Sequence, residues 1–172
     1  NPNLVEQANG DWAVTIVRQF LFDTFHYFTN EWLSKNSNDE FLRSIAEKSF
    51  KEITYHLRWS SEWVIRLGDG TEFSHQKAQN AVDELWMYVG ELFTKNATDE
   101  AVESMGIAPN LLIIKSLWEE KVAEIFQEAT LELPKNRASN FYFGKNGKHT
   151  EQLGFILADL QFMQRTYPNS TW

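Results

Sequence analysis

The chain has 172 residues, of which 42% are hydrophobic and 15% aromatic, with 16 basic against 24 acidic side chains for a formal charge of −8. That length and apolar content predict a single globular domain over 1–172 rather than a disordered chain, and the acidity argues against nucleic acid or an anionic membrane as the main partner. The absence of cysteine excludes disulfides, thiolate zinc sites and thiol catalysis, and with no signal peptide or membrane-length apolar run it leads to the expectation of a cytoplasmic protein, although residue 1 is Asn rather than Met.

Apolar residues recur with a helical period almost throughout, and no stretch alternates as a strand would. The first helix is expected from Asp11 to Lys35, after the turn-prone Asn9-Gly10 pair. A second runs from Asn38 to Leu67, opened by a Ser37-x-x-Glu40 capping box and stopped by Gly68-Asp69-Gly70. His75 to Lys95 forms a third, with Ser74 as its N-cap. Thr98 to Ser104 makes a short helical turn, and Pro109 takes the first position of a fourth helix ending near Thr130. Leu131 to Lys145 reads as a loop, and the last helix spans His149 to Tyr167, ended by Pro168. The fold class is therefore all-α, a bundle of long helices, with no linker dividing it.

Helix one has little polar surface. Ile16, Phe20 and Tyr27 form one stripe, and Phe22, Phe25, Phe28 and Trp32 cover much of the remainder. A helix apolar on most sides is surrounded by neighbours, either as the centre of the core or with one face docked on another subunit or further chain.

Asp23 lies on that inward stripe, three residues after Phe20 and four before Tyr27. A buried acid needs a partner, a hydrogen bond or a metal. On helix two, Ile45, Ser49, Ile53, His56, Leu57 and Ser60 share a stripe, so His56 is expected to face inward too. In di-iron carboxylate bundles a Glu three residues before the His completes the ligand helix. In KEITYHLRWS, Lys51 to Ser60, that position is Ile53. Asp23, Ile53 and His56 thus look like a degenerate metal site, with Glu52 a partial substitute one turn before His56. Two ligands are too few for a di-iron centre, and the favoured reading is a buried Asp23–His56 hydrogen bond without metal.

GKNGKHT, Gly144 to Thr150, has the flavour of a phosphate loop but the wrong glycine spacing and no preceding strand. What remains is Lys145 and Lys148 beside a helix N-terminus, which suits an anion, or simply a glycine turn with solvated lysines. Glu151 in the first turn of that helix is explained by the helix dipole. His26 and His75 have no evident triad partners, and neither a Gly-x-Ser-x-Gly nor a His-Glu-x-x-His string occurs. No catalytic residue is named.

Longer patterns carry a resemblance. KHTEQLGFILADLQFMQRTYPNSTW (Lys148 to Trp172), NLVEQANGDWAVTIVRQFLFD (Asn3 to Asp23), KEITYHLRWS and LGDGTEFSHQK (Leu67 to Lys77) are similar to the C subunits of bacterial phenylacetyl-CoA epoxidases, over nearly the whole chain. The resemblance implies a ferritin-like fold and a division of labour. The related A subunit holds the di-iron centre that epoxidises the aromatic ring of phenylacetyl-CoA in aerobic phenylacetate breakdown. The C subunit pairs with it as a structural, non-catalytic component without a cofactor of its own, and the small B subunit is a further possible partner. On this resemblance Ile53 stands where a ligand Glu would be, with His56 remaining and Asp23 a relic acid. Lys145 and Lys148 are candidate contacts to the partner or to CoA phosphates. Family members begin with further helices, so the chain resembles the C-terminal two-thirds of the subunit. The alternative is a ferritin-like metalloprotein using Asp23, Glu52 and His56.

Overall fold

The structure is a computed structural model and describes residues 1–134 and 143–171. Among these there are seven α-helices and no strand: α1 Trp12–Asn36, α2 Glu40–Gly68, α3 Glu72–Leu85, α4 Ala97–Ser104, α5 Leu111–Glu128, α6 Gln152–Leu160 and α7 Phe162–Thr166. Three 3₁₀ segments, Asn3–Glu6, Trp86–Phe93 and Gly144–Asn146, complete the order. No helix among the described residues is long and apolar enough to cross a membrane.

α1 is the central element. It packs along α2, and also meets α3 and α5, which is why its aromatics go all the way round. Ala13, Ile16, Val17, Phe20 and Leu21 are buried, while Phe22, Phe25, Phe28 and Trp32 are half-buried against the same core. α5 closes the bundle through Trp118, whose buried indole N–H donates to the Leu21 carbonyl at 2.8 Å and whose ring meets Phe93 and Trp86 at 5.4 and 5.7 Å. The donor satisfied inside the core lets a tryptophan sit there at little polar cost.

Helix boundaries differ from the sequence expectation where two capping residues compete. Ser37 does not cap α2: its backbone N–H closes α1 onto Leu33, and its hydroxyl donates to the Ile107 carbonyl at 2.8 Å. Asp39 caps α2 instead, accepting from the Leu42 N–H at 2.9 Å. The third helix starts at Glu72, because Thr71 caps it and Ser74 is the reciprocal partner in a capping box. It then tightens to a 3₁₀ segment at Trp86. Trp86, Val89 and Leu92 are spaced by three, and three residues per turn lines them up on the core. Pro109 precedes the helix rather than opening it, since Asn110 caps α5 by accepting from Leu112 N–H at 2.8 Å.

The end of α5 is a Schellman turn. Thr130 stands in the left-handed region (φ 57°), with Leu131 N–H bonded to Phe126 O at 2.9 Å and Thr130 N–H to Gln127 O at 3.2 Å. The loop expected from Leu131 to Lys145 falls partly on 135–142, outside the described residues. The last expected helix is two, broken at Gln161, and begins at Gln152 because His149 and Thr150 are drawn away to Glu6.

Candidate functional site

Asp23 is 2% exposed. Its Oδ1 accepts from Gln19 Nε2 at 2.6 Å, one turn back on α1, and its Oδ2 accepts from Ser60 Oγ on α2 at 2.9 Å. Burial pushes the carboxyl above its ordinary value of 3.8. The two hydrogen bonds, and more weakly the charges of His56 and His26, pull against that. His26, half-buried against the Phe22 ring at 5.6 Å, is lowered by burial, with Asp23 opposing.

His56 does not face inward. Its side chain is 50% exposed, and its ion-pairing neighbour is Glu52 at 3.8 Å, itself 78% exposed. Ile45 is exposed as well. The buried stripe of α2 is Ala46, Ile53, Leu57, Ser60, Ser61, Val64 and Gly68, and His56 sits one residue, about 100°, off Leu57. The expected Asp23–His56 hydrogen bond is replaced by Asp23–Ser60. Ser60 keeps the register because its hydroxyl also reaches the carbonyls of His56 and Leu57, at 3.0 and 3.3 Å.

Asp23 and His56 nevertheless line one groove between α1 and α2, of about 390 Å³, shared with Thr15, Ile16, Gln19, Tyr55 and Trp59. Ile53 is 6% exposed and supplies no oxygen. Among the described residues no three of His, Asp and Glu gather closely enough to hold a metal ion. The groove thus offers one hydrogen-bonded acid, one solvent-facing imidazole and an aromatic wall. That set can hold a proton, but it does not fit a di-iron cluster.

A second polar cluster had no sequence signal beyond the individual acids. Glu6 and Glu91 are both buried. Glu6 accepts from the Thr150 N–H and hydroxyl, each at 3.2 Å, and pairs with His149 Nδ1. Glu91 accepts from Asn3 N–H and Lys145 N–H, each at 2.8 Å. Lys145 is committed inside this knot: its Nζ pairs with Asp99 at 2.6 Å and donates to the Thr94 carbonyl at 2.9 Å. Lys148 is exposed. His75 bonds the Gly68 carbonyl at 2.8 Å, fastening the start of α3 to the end of α2.

A helical bundle wrapped around one long aromatic helix, with the buried Asp23 carboxylate satisfied by Gln19 and Ser60, defines the class: an all-α, ferritin-like protein. The chain belongs to the phenylacetic acid catabolic protein family, whose model matches 1–172. It is 42% identical over 169 residues to the C subunit of 1,2-phenylacetyl-CoA epoxidase from Escherichia coli (strain K12), a match covering 98% of this chain and 67% of that protein.

Proposed function

We propose that the chain acts as a C-type subunit of a phenylacetyl-CoA epoxidase, bracing a di-iron A subunit without performing the chemistry itself. The observation that carries this reading is the match to an epoxidase C subunit at 42% identity over nearly the whole chain. The buried Ile53 supports the non-catalytic part, because an aliphatic side chain stands one turn before His56, where a ligand helix needs a carboxylate. Asp23 supports it further: both its oxygens are taken by protein donors. In this reading the chain's long helices give the A subunit a rigid apolar support, and substrate and oxygen meet only on the partner's metal.

The test is co-expression with an A subunit, followed by metal and mass analysis. The account expects a stable hetero-complex whose iron follows the A subunit alone. His56→Ala and Asp23→Asn should leave iron content and ring epoxidation unchanged. Tight iron in the purified chain, or loss of epoxidation by His56→Ala in an intact complex, would overturn it. For Lys148, charge reversal should weaken binding of either the partner or CoA; unchanged binding of both removes that role. Lys145 is a poorer candidate, since reversal there also breaks its pair with Asp99.

A further inference from the structure

Where α1, the Trp86–Phe93 segment, α4 and the start of α5 meet, they leave a cavity of about 270 Å³. It shares no lining residue with the α1–α2 groove. Pro2, Phe25, Leu92, Val102, Pro109 and Leu111 make its apolar wall. Apolar cavities stay dry and take apolar guests. Two polar features interrupt the lining. Thr29 stands in the wall with its hydroxyl buried and unpartnered. Other helical threonines behave differently: Thr24 and Thr54 donate to the carbonyls of Phe20 and Phe50, four residues back, at 2.8 and 2.7 Å. Thr29 thus keeps a donor and an acceptor in reserve, and a buried hydroxyl left unbonded costs stability. The second feature is an ion pair. Lys145 Nζ is held by Asp99 at 2.6 Å and by the Thr94 carbonyl at 2.9 Å, and Asp99 also accepts from the Asn96 N–H at 2.9 Å. Each charge already has its counter-ion, so a charged guest would enter without one.

We propose that this cavity is a binding site for a small neutral molecule with an apolar ring and one hydroxyl or amide group, the ring lying against Phe25 and Leu92 and the polar group on Thr29. A cavity of roughly 150 Å³ accepts benzene, so this one has room for a ring with a short polar substituent. The guest supplies the hydrogen bond that Thr29 lacks. It leaves the Lys145–Asp99 pair intact, and Asp99 turns a carboxylate away. Because the walls come from α1, α4, α5 and the Trp86–Phe93 segment, occupancy ties these elements together and stabilises the folded chain. The inference goes beyond the subunit reading and stands if that reading fails.

Methyl NMR on the purified chain, titrated with benzyl alcohol, toluene and benzoate, decides it. Benzyl alcohol should shift the methyls of Leu92, Val102 and Leu111 saturably and raise Tm with concentration, and benzoate should bind more weakly. Thr29→Val keeps the shape and removes the hydroxyl. It should leave the fold intact, weaken benzyl alcohol roughly two- to tenfold for the one hydrogen bond lost, and leave toluene unchanged. Ala108→Phe, which fills the space from another wall residue, should abolish binding of both; if that variant does not fold, Thr29→Val decides alone. The proposal is overturned by unsaturable shifts at these methyls, by benzoate binding tightest, by shifts that persist in folded Ala108→Phe, or by a benzyl alcohol affinity that Thr29→Val leaves unchanged.

Discussion

Gly68→Ala is the sharpest test of how the bundle closes. Gly68 is the last residue of α2, and an added Cβ would lie 2.2 Å from the Ala129 carbonyl oxygen and 2.8 Å from the Ala129 Cβ. Ala129 is fully buried, so its backbone cannot swing into solvent. The two chains must part by about 1 Å, and overpacking of this kind costs roughly 1–3 kcal/mol. The shift also strains the bonds to the Gly68 carbonyl from His75 and Thr130, at 2.8 and 3.3 Å, each worth about 1 kcal/mol. Helix propensity returns at most about 1 kcal/mol. The net expectation is a loss of about 2–4 kcal/mol, read as a lower urea midpoint at unchanged slope and a fall in Tm on the order of 10 °C. Gly154→Ala is the control, since nothing lies within 4 Å of its added Cβ, and it should leave the global transition unchanged. A Gly68→Ala chain within about 0.5 kcal/mol of the parent would refute the close approach of α2 and α5.

Three further outcomes follow from the core. Asp23→Asn keeps both contacts, because Ser60 can accept from the new amide while donating to its own helix, so the fold should hold at neutral pH. Since burial raises the Asp23 pKa in the folded chain above 3.8, the folded state takes up that proton first. Asp23's own contribution to stability is therefore fully present below its unfolded value of 3.8 and lost as pH rises through the folded value, so the parent should gain on Asp23→Asn as the solution is acidified; parallel pH profiles of urea midpoints would contradict this. Trp118→Phe removes the donor to Leu21 and leaves part of the indole space empty, for an expected loss of about 2–3 kcal/mol by chemical denaturation. Ile53→Glu places an unpaired acid in the core and should cost about 3–5 kcal/mol without creating an iron site, checked by denaturation together with metal titration.

The sequence made the fold legible where the pattern was strong and local. The aromatic run of α1 gave its length and its central place, because only a surrounded helix can bury Phe20 while Phe22 and Phe25 pack on other sides. Asp23 was legible as an inward acid for the same reason. On α2 the expected stripe of Ile45, Ser49, Ile53, His56, Leu57 and Ser60 is buried at Ile53, Leu57 and Ser60, while Ile45 and His56 face solvent and Ala46 turns inward instead. Capping was ambiguous wherever two hydroxyls or acids stood within three residues, as with Ser37 against Asp39 and Thr71 against Ser74. The knot at Glu6 and Glu91 was invisible, because its partners lie far along the chain at Thr150, Asn3 and Lys145, and pairings at that range have no local period.

Metal counting on the purified pair addresses the central claim most directly. With an A subunit and this chain isolated as one complex, then separated and analysed for iron, the account predicts a di-iron complement on the A subunit and none retained by the chain carrying Ile53 and His56. Iron held stoichiometrically by this chain, or epoxidation of phenylacetyl-CoA by it alone, would contradict the account.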